Sequence, residues 1–245
     1  VLGTDGLGIY SFGQSIVAYF LLLSTLGIPN YAIREGATVR NDCKRLQSFV
    51  NEVFSINFIM MFISYGIMVI MLLYINDLKN YKFIILIQSL QILLTFLGAD
   101  WINSIFEDYF YLTIRYIFIQ ILSLMALLIF VKKPSDIYIY TLITVISNAG
   151  GNIFNCFYLR KQRIYPKLTI HFSFKKHIIP IFILFCNSIA TVIYLNSDVT
   201  MLGIYTNDSK VGIYTVSSKI YTMLKSLINA IIMVTVPRFS AYVSN

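Results

Sequence analysis

The chain predicts an all-α polytopic membrane protein in which seven transmembrane helices are visible, one part of a bundle of about twelve helices in two lobes. Three observations predict this. Hydrophobic residues make up 58% of the 245 positions and charged residues only 12%, against roughly 25% charged in ordinary globular domains. The apolar residues come in long runs parted by short polar loops, as helices crossing a hydrocarbon core of about 30 Å require. Finally, Gly8-Ile9-Tyr10-Ser11 returns near the end as Gly212-Ile213-Tyr214-Thr215, each copy preceded by a Leu-Gly pair. At the same offset of 204 residues, Ile16 falls on Ile220, Leu23 on Leu227, Ile28 on Ile232 and Arg34 on Arg238. Chance matches are common in apolar sequence, but a shared opening Gly-Ile-Tyr and a shared closing arginine mark a duplicated membrane segment.

The expected spans run over 8–28, 53–75, 83–99, 114–131, 137–159, 178–204 and 213–236. The first and last are the two copies of the repeat. Small and amide residues interrupt the span over 137–159 at Asn148, Gly150, Gly151, Asn152 and Asn155, which suits close helix contact or a bend. Gln88, Gln91, Gln120 and Asn57 either line a hydrated lumen or bond between helices. Segment 100–112 mixes acidic and aromatic residues and reads as a short amphipathic element at headgroup level. Cys43, Cys156 and Cys186 have no paired spacing, which argues against disulfides and a metal site. No nucleophile–base constellation or phosphate-cradling Gly loop appears, so neither a cofactor nor a catalytic site is expected. His171 and His177, in or beside a basic loop, read as solvated.

Charge orients the bundle. Loops 30–49 and 160–178, with Arg115 and Arg238 on the same side, hold twelve basic residues; Lys79, Lys82, Lys132, Lys133 and Lys210 on the other side make five. The positive-inside rule then puts loops 30–49 and 160–178 in the cytoplasm. Topology and anionic lipid account for the net charge of +8, so no nucleic acid is invoked. With the start of the chain outside, one span is expected upstream of Val1, and the repeat copies become spans two and eight of two parallel six-helix lobes. Residues 1–160 then hold spans two to six of the first lobe, 161–177 a basic cytoplasmic linker, and 178–245 spans seven and eight, which begin the second.

A charged side chain at the bilayer centre costs about 2.5–3.5 kcal/mol on insertion scales. Asp198 and Lys219 each lie about 9 Å below the outer surface on consecutive antiparallel spans. They form either a neutral pair that fixes helix register or a protonation- or cation-coupled switch. Lys225 lies about 18 Å deep with no acidic residue at matching depth, so it should face a water-filled cavity that an anionic ligand can enter. Six residues from Lys219 is a rotation of about 240°, so the two lysines leave different faces. Arg34 and Arg238 close their helices at the cytoplasmic surface, suited equally to interfacial anchoring and to gripping phosphate oxygens.

These landmarks together resemble the Wzx-type polysaccharide flippases of the MOP transporter superfamily. The resemblance covers nearly the whole chain. It includes the Gly8-Ile9-Tyr10-Ser11 start, Asp100-Trp101 with Glu107, and Val131-Lys132 followed by Asp136 and Tyr140. It continues with Asn196-x-Asp198-x-x-Met201-Leu202-Gly203, Val211-Gly212-Ile213-Tyr214, Lys219-Ile220 and Pro237-Arg238-Phe239-Ser240. Ile105 departs from it, where such proteins often carry glycine, and Phe239 stands for a more usual leucine or methionine. The resemblance implies a transporter rather than an enzyme: a translocase for undecaprenyl-diphosphate-linked oligosaccharide repeat units in the bacterial cytoplasmic membrane. Such a protein serves O-antigen, lipopolysaccharide or capsule biosynthesis beside a polymerase and other assembly proteins. Lys225, Lys219, Arg34 and Arg238 would supply positive charge for the diphosphate or sugar, and Asp198 would carry coupling or pair with Lys219. A membrane polymerase or glycosyltransferase shares the composition but usually needs a large outer loop. A MATE-like small-molecule exporter shares the fold but favours acidic cavity residues.

Overall fold

In the computed structural model the described residues are 1–160, 164–169 and 174–243, with side chains left aside at 174–176, 230–234 and 236–243, and they are almost wholly helical. Ten α-helices run in order along them: α1 (Gly3–Thr25), α2 (Ile28–Val39), α3 (Cys43–Tyr74), α4 (Lys82–Gly98), α5 (Trp101–Ile105), α6 (Tyr109–Phe130), α7 (Ile137–Val145), α8 (Gly151–Leu159), α9 (Phe174–Tyr205) and α10 (Asp208–Val243). A π turn, Ile146–Gly150, welds α7 and α8 into one span at the expected small-residue interruption. Among the described residues six helical segments are long and apolar enough to cross a membrane. They answer to the first six expected spans. The seventh, 213–236, lies within α10.

Three helix breaks use left-handed backbone among the described residues. Leu26 and Gly27 (φ 46° and 70°) end α1, Ala99 (φ 44°) ends α4, and Glu107 (φ 60°) turns α5 into α6. The first of these cuts the expected span 8–28 near its end, so Arg34 sits on a separate helix, α2, and does not close α1. Gly27 suits this turn because it carries no Cβ. A methyl there would also come within 2.8 Å of the Phe185 backbone nitrogen on α9. At the repeat offset Gly27 falls on Ile231, and α10 runs through that position unbroken. Asp42 starts α3 by accepting hydrogen bonds from the Lys44 and Arg45 amides, the usual role of an N-cap carboxylate.

Among the described residues apolar packing forms two large cores, one towards each end of the bundle, and a small third cluster of Leu2, Val131 and Ile143. At the basic end Leu26, Ile28, Leu46, Val50, Trp101 and Ile105 close around Ile181 of α9. At the opposite end Phe12, Val17, Met68, Ile85 and Ile92 close around Val211 of α10. The short element after Asp100 is therefore built into a core, with Trp101, Ile102 and Ile105 buried. Ile105 packs against Gly36, and the reversal after it is made by Glu107, which pairs with Arg40 at 2.6 Å.

Most intramembrane amides bond between helices. Gln88 donates to the Tyr10 carbonyl at 2.9 Å, Asn57 to the Ser24 carbonyl at 2.8 Å, and Gln14 and Gln91 exchange bonds. Gln120 meets Ser147 of the π turn. Asn155, fully buried, donates to the Gly98 carbonyl at 2.5 Å and to Asp100, and accepts from Asn103 at 2.6 Å. Arg115 closes this network on Asp100 at 2.5 Å. The described part of the linker, 164–169, is strapped along α3. The Tyr165 carbonyl accepts from Gln47, while the Lys167 and Thr169 amides donate to Asn51 and Ser55.

Candidate functional site: a polar groove between α9 and α10

Helices α9 and α10 are joined through Thr206 and Asn207, so they run antiparallel side by side. A cavity of about 390 Å³ opens between them. From α10 it is lined by Tyr214, Ser218, Tyr221, Thr222, Lys225 and Asn229. Their spacing of three to four residues puts them on one face of the helix. From α9 come Tyr194, Ser197 and Asp198. Aromatic and aliphatic hydroxyls, one carboxylate and one ammonium thus share a single concave surface. Lys225 makes no ion pair among the described residues.

Asp198 and Lys219 do not pair. The Tyr214 hydroxyl donates to Asp198 at 2.6 Å, and the Lys219 ammonium stands 5.9 Å from the centre of the Tyr10 ring on α1, within cation–π range. The reason lies in the register. α10 begins at Asp208, five residues before the expected start, which carries Lys219 about 16 Å down its helix. Asp198 is only about 10 Å from the end of α9 at Tyr205. Tyr214, about 9 Å down α10, is the residue level with the carboxylate.

The structure thus brings Asp198 and Lys225 to one groove and sends Lys219 to the face of α10 that meets α1. Arg34 lies apart, on α2 at the basic end, with a largely exposed side chain bonded to the neighbouring Glu35 at 3.1 Å. The side chain of Arg238 lies outside the described residues, as do those of Lys175 and Lys176; Lys161, Arg163 and His171 lie outside them altogether.

Two features escape a reading of the sequence by composition. The hydroxyl stripe on α10 was legible as Tyr, Ser, Thr and Lys recurring at helical spacing, but each residue alone is unremarkable in a membrane helix. His177 is buried, contrary to the solvated position its basic surroundings suggest. Its Nδ1 meets the Tyr31 hydroxyl at 2.7 Å and its Nε2 meets Glu52 at 2.9 Å, fastening the first turn of α9 to α2 and α3.

Long lipid-compatible helices with polar side chains gathered on a groove between two of them define a multi-pass helical membrane protein. The chain belongs to the polysaccharide biosynthesis protein family, whose model matches residues 1–243. No curated protein and no solved structure matches it significantly.

Proposed function

We propose that this chain belongs to a flippase of Wzx type, which moves undecaprenyl-diphosphate-linked oligosaccharide repeat units across the bacterial cytoplasmic membrane by alternating access. Lys225 carries this reading. It is an ammonium deep along an apolar helix, facing a groove otherwise lined with hydroxyls, where a diphosphate supplies the missing counter-charge and sugar hydroxyls find matching donors and acceptors. The basic end, with loops 30–49 and 160–178, faces the cytoplasm. Arg34 and Arg238 meet phosphate or sugar at the cytoplasmic mouth, and Lys219, held over Tyr10, adds positive potential beside the groove. Asp198, bonded to Tyr214 on the groove wall, carries the coupling proton or cation. The lipid tail stays in the bilayer while the head crosses. A polymerase and other assembly proteins receive the product.

A deletion strain tests this reading. Loss of the protein is expected to stop surface polymer and to build up lipid-linked repeat units on the cytoplasmic face, both reversed by the full-length protein. Normal polymer without accumulation would defeat the assignment.

A further inference from the structure

The two copies of the internal repeat touch each other, and they do so through equivalent residues. A Cβ added at Gly8 would overlap the carbonyl oxygen of Asp208, and one added at Gly212 would overlap the carbonyl oxygen of Thr4. At the repeat offset of 204, Thr4 is the counterpart of Asp208 and Gly8 that of Gly212. Position four of each helix therefore receives the glycine at position eight of the other, as a twofold axis along the bilayer normal requires. Such reciprocity is the mark of an isologous contact between two like surfaces, and parallel repeats in transporters are related by an axis of this direction.

The contact lies at the ends of α1 and α10 away from the basic loops. It is fastened at its rim: Thr4 Oγ1 and Ser209 Oγ lie 2.8 Å apart, and the Tyr81 hydroxyl donates to Asp208 at 2.6 Å. Val211, Gly212 and Thr215 are buried here, whereas every α10 side chain from Lys219 to Asn229 is exposed. At Gly8 and Gly212 themselves no side chain interlocks, because glycine has none, while beside them Val211 is fully buried in the core that holds Phe12 and Ile85. The two helices can part here as rigid bodies once the rim bonds break and Val211 leaves that core, and they re-form the same contact on return. A small-residue crossing with this symmetry closes the bundle at one end while leaving the groove deeper in the membrane intact.

We propose that the reciprocal Gly8–Gly212 seam is the outer gate of the transporter: closed here, it must open for substrate to leave on the face opposite the basic loops. The direction of opening rests on the translocation reading above. The test uses the full-length protein with Cys43, Cys156 and Cys186 replaced by serine and with Thr4→Cys and Ser209→Cys introduced, a pair whose hydroxyls already sit within disulfide reach. Oxidation is expected to join the two cysteines and to lower polymer export at least tenfold, with recovery on reduction. Export at the reduced protein's rate while the bond is intact would overturn the gate.

A second measurement does not depend on polymer. Spin labels on the exposed positions Asp5 and Lys210, in protein reconstituted in nanodiscs, should give a short and a longer distance by pulsed electron resonance. A single short distance would show static packing and overturn the proposal. Failure of the wild-type protein to restore polymer would instead sink the flippase reading, and the label distances would still decide the gate.

Discussion

Lys225→Met separates a functional lysine from a structural one by the sign of its effect on stability. Lysine at a helix centre costs about 2.5–3.5 kcal/mol on insertion scales, and methionine of similar length removes that cost. The ammonium has no ion-pair partner among the described residues, so its removal strands no carboxylate. Hydration in the groove already offsets part of the penalty. The variant is therefore expected to be as stable as the parent or more so, by up to about 2 kcal/mol. Export should move the other way. A unit charge about 4 Å from a phosphate oxygen is worth about 4 kcal/mol at an effective dielectric of 20, and each 1.4 kcal/mol is tenfold. Export at limiting substrate should then fall by about 10²–10³, with Lys225→Arg retaining most of it. Thermal unfolding in nanodiscs beside complementation of a deletion strain gives both quantities. Full export by the methionine variant would remove Lys225 from the site. A joint loss of stability and export would show that the lysine holds the fold.

Packing sets four further outcomes. Asn155→Ala leaves Asn103 and the Gly98 carbonyl without their Asn155 partner, while Asp100 keeps Arg115, and at about 1–3 kcal/mol for each buried group left unpaired it should cost about 2–4 kcal/mol after relaxation, read as a lower midpoint in a thermal melt. Gly27→Ala should lose about 1–2 kcal/mol to left-handed backbone alone, and more from its contact with the Phe185 nitrogen. Gly66→Ala, where a methyl meets nothing within 4 Å, should gain about 0.5–1 kcal/mol in the same assay. Ser15→Lys should abolish folded expression, since Ser15 is 2% exposed and bonded to Phe12 and Thr200. Its counterpart change, Lys219→Ser, should leave detergent-extracted yield unchanged, and equal yields for the two variants would refute the asymmetry of the copies.

The spans were legible because bilayer thickness forces about twenty apolar residues into each helix, and composition alone reports that. Their ends were less so, since a break such as Leu26-Gly27 depends on what lies across it, here the backbone of α9 at Phe185. The same holds for polar residues. A sequence can show that Asp198 and Lys219 are both near one surface, but a helix that starts five residues early moves Lys219 by about 7.5 Å, enough to exchange its partner for Tyr10 and give Asp198 to Tyr214. His177 shows the opposite limit, because only the convergence of α2, α3 and α9 can turn a histidine from a basic loop into a buried link. Lys225 could be singled out because its depth left it without a visible counter-charge, and no tertiary detail was needed for that.

The repeat itself explains where the two copies stay alike and where they part. Gly8 and Gly212 each accept the other helix's carbonyl, so a side chain at either breaks both halves of one contact. Tyr10 and Tyr214, identical in sequence, already do different work: Tyr10 packs on Tyr140 and faces Lys219, whereas Tyr214 serves Asp198. Below that level the neighbours differ altogether. Position fifteen of the first copy is Ser15, buried against α9 at Thr200, so a charge there would lose its water with nothing in return. Position fifteen of the second copy is Lys219, which begins the exposed stretch of α10 from Lys219 to Asn229 and has Tyr10 as an aromatic partner. A duplicated helix can acquire charge only on the copy whose surroundings admit it, and in this chain that copy is α10, which also lines the groove with Lys225.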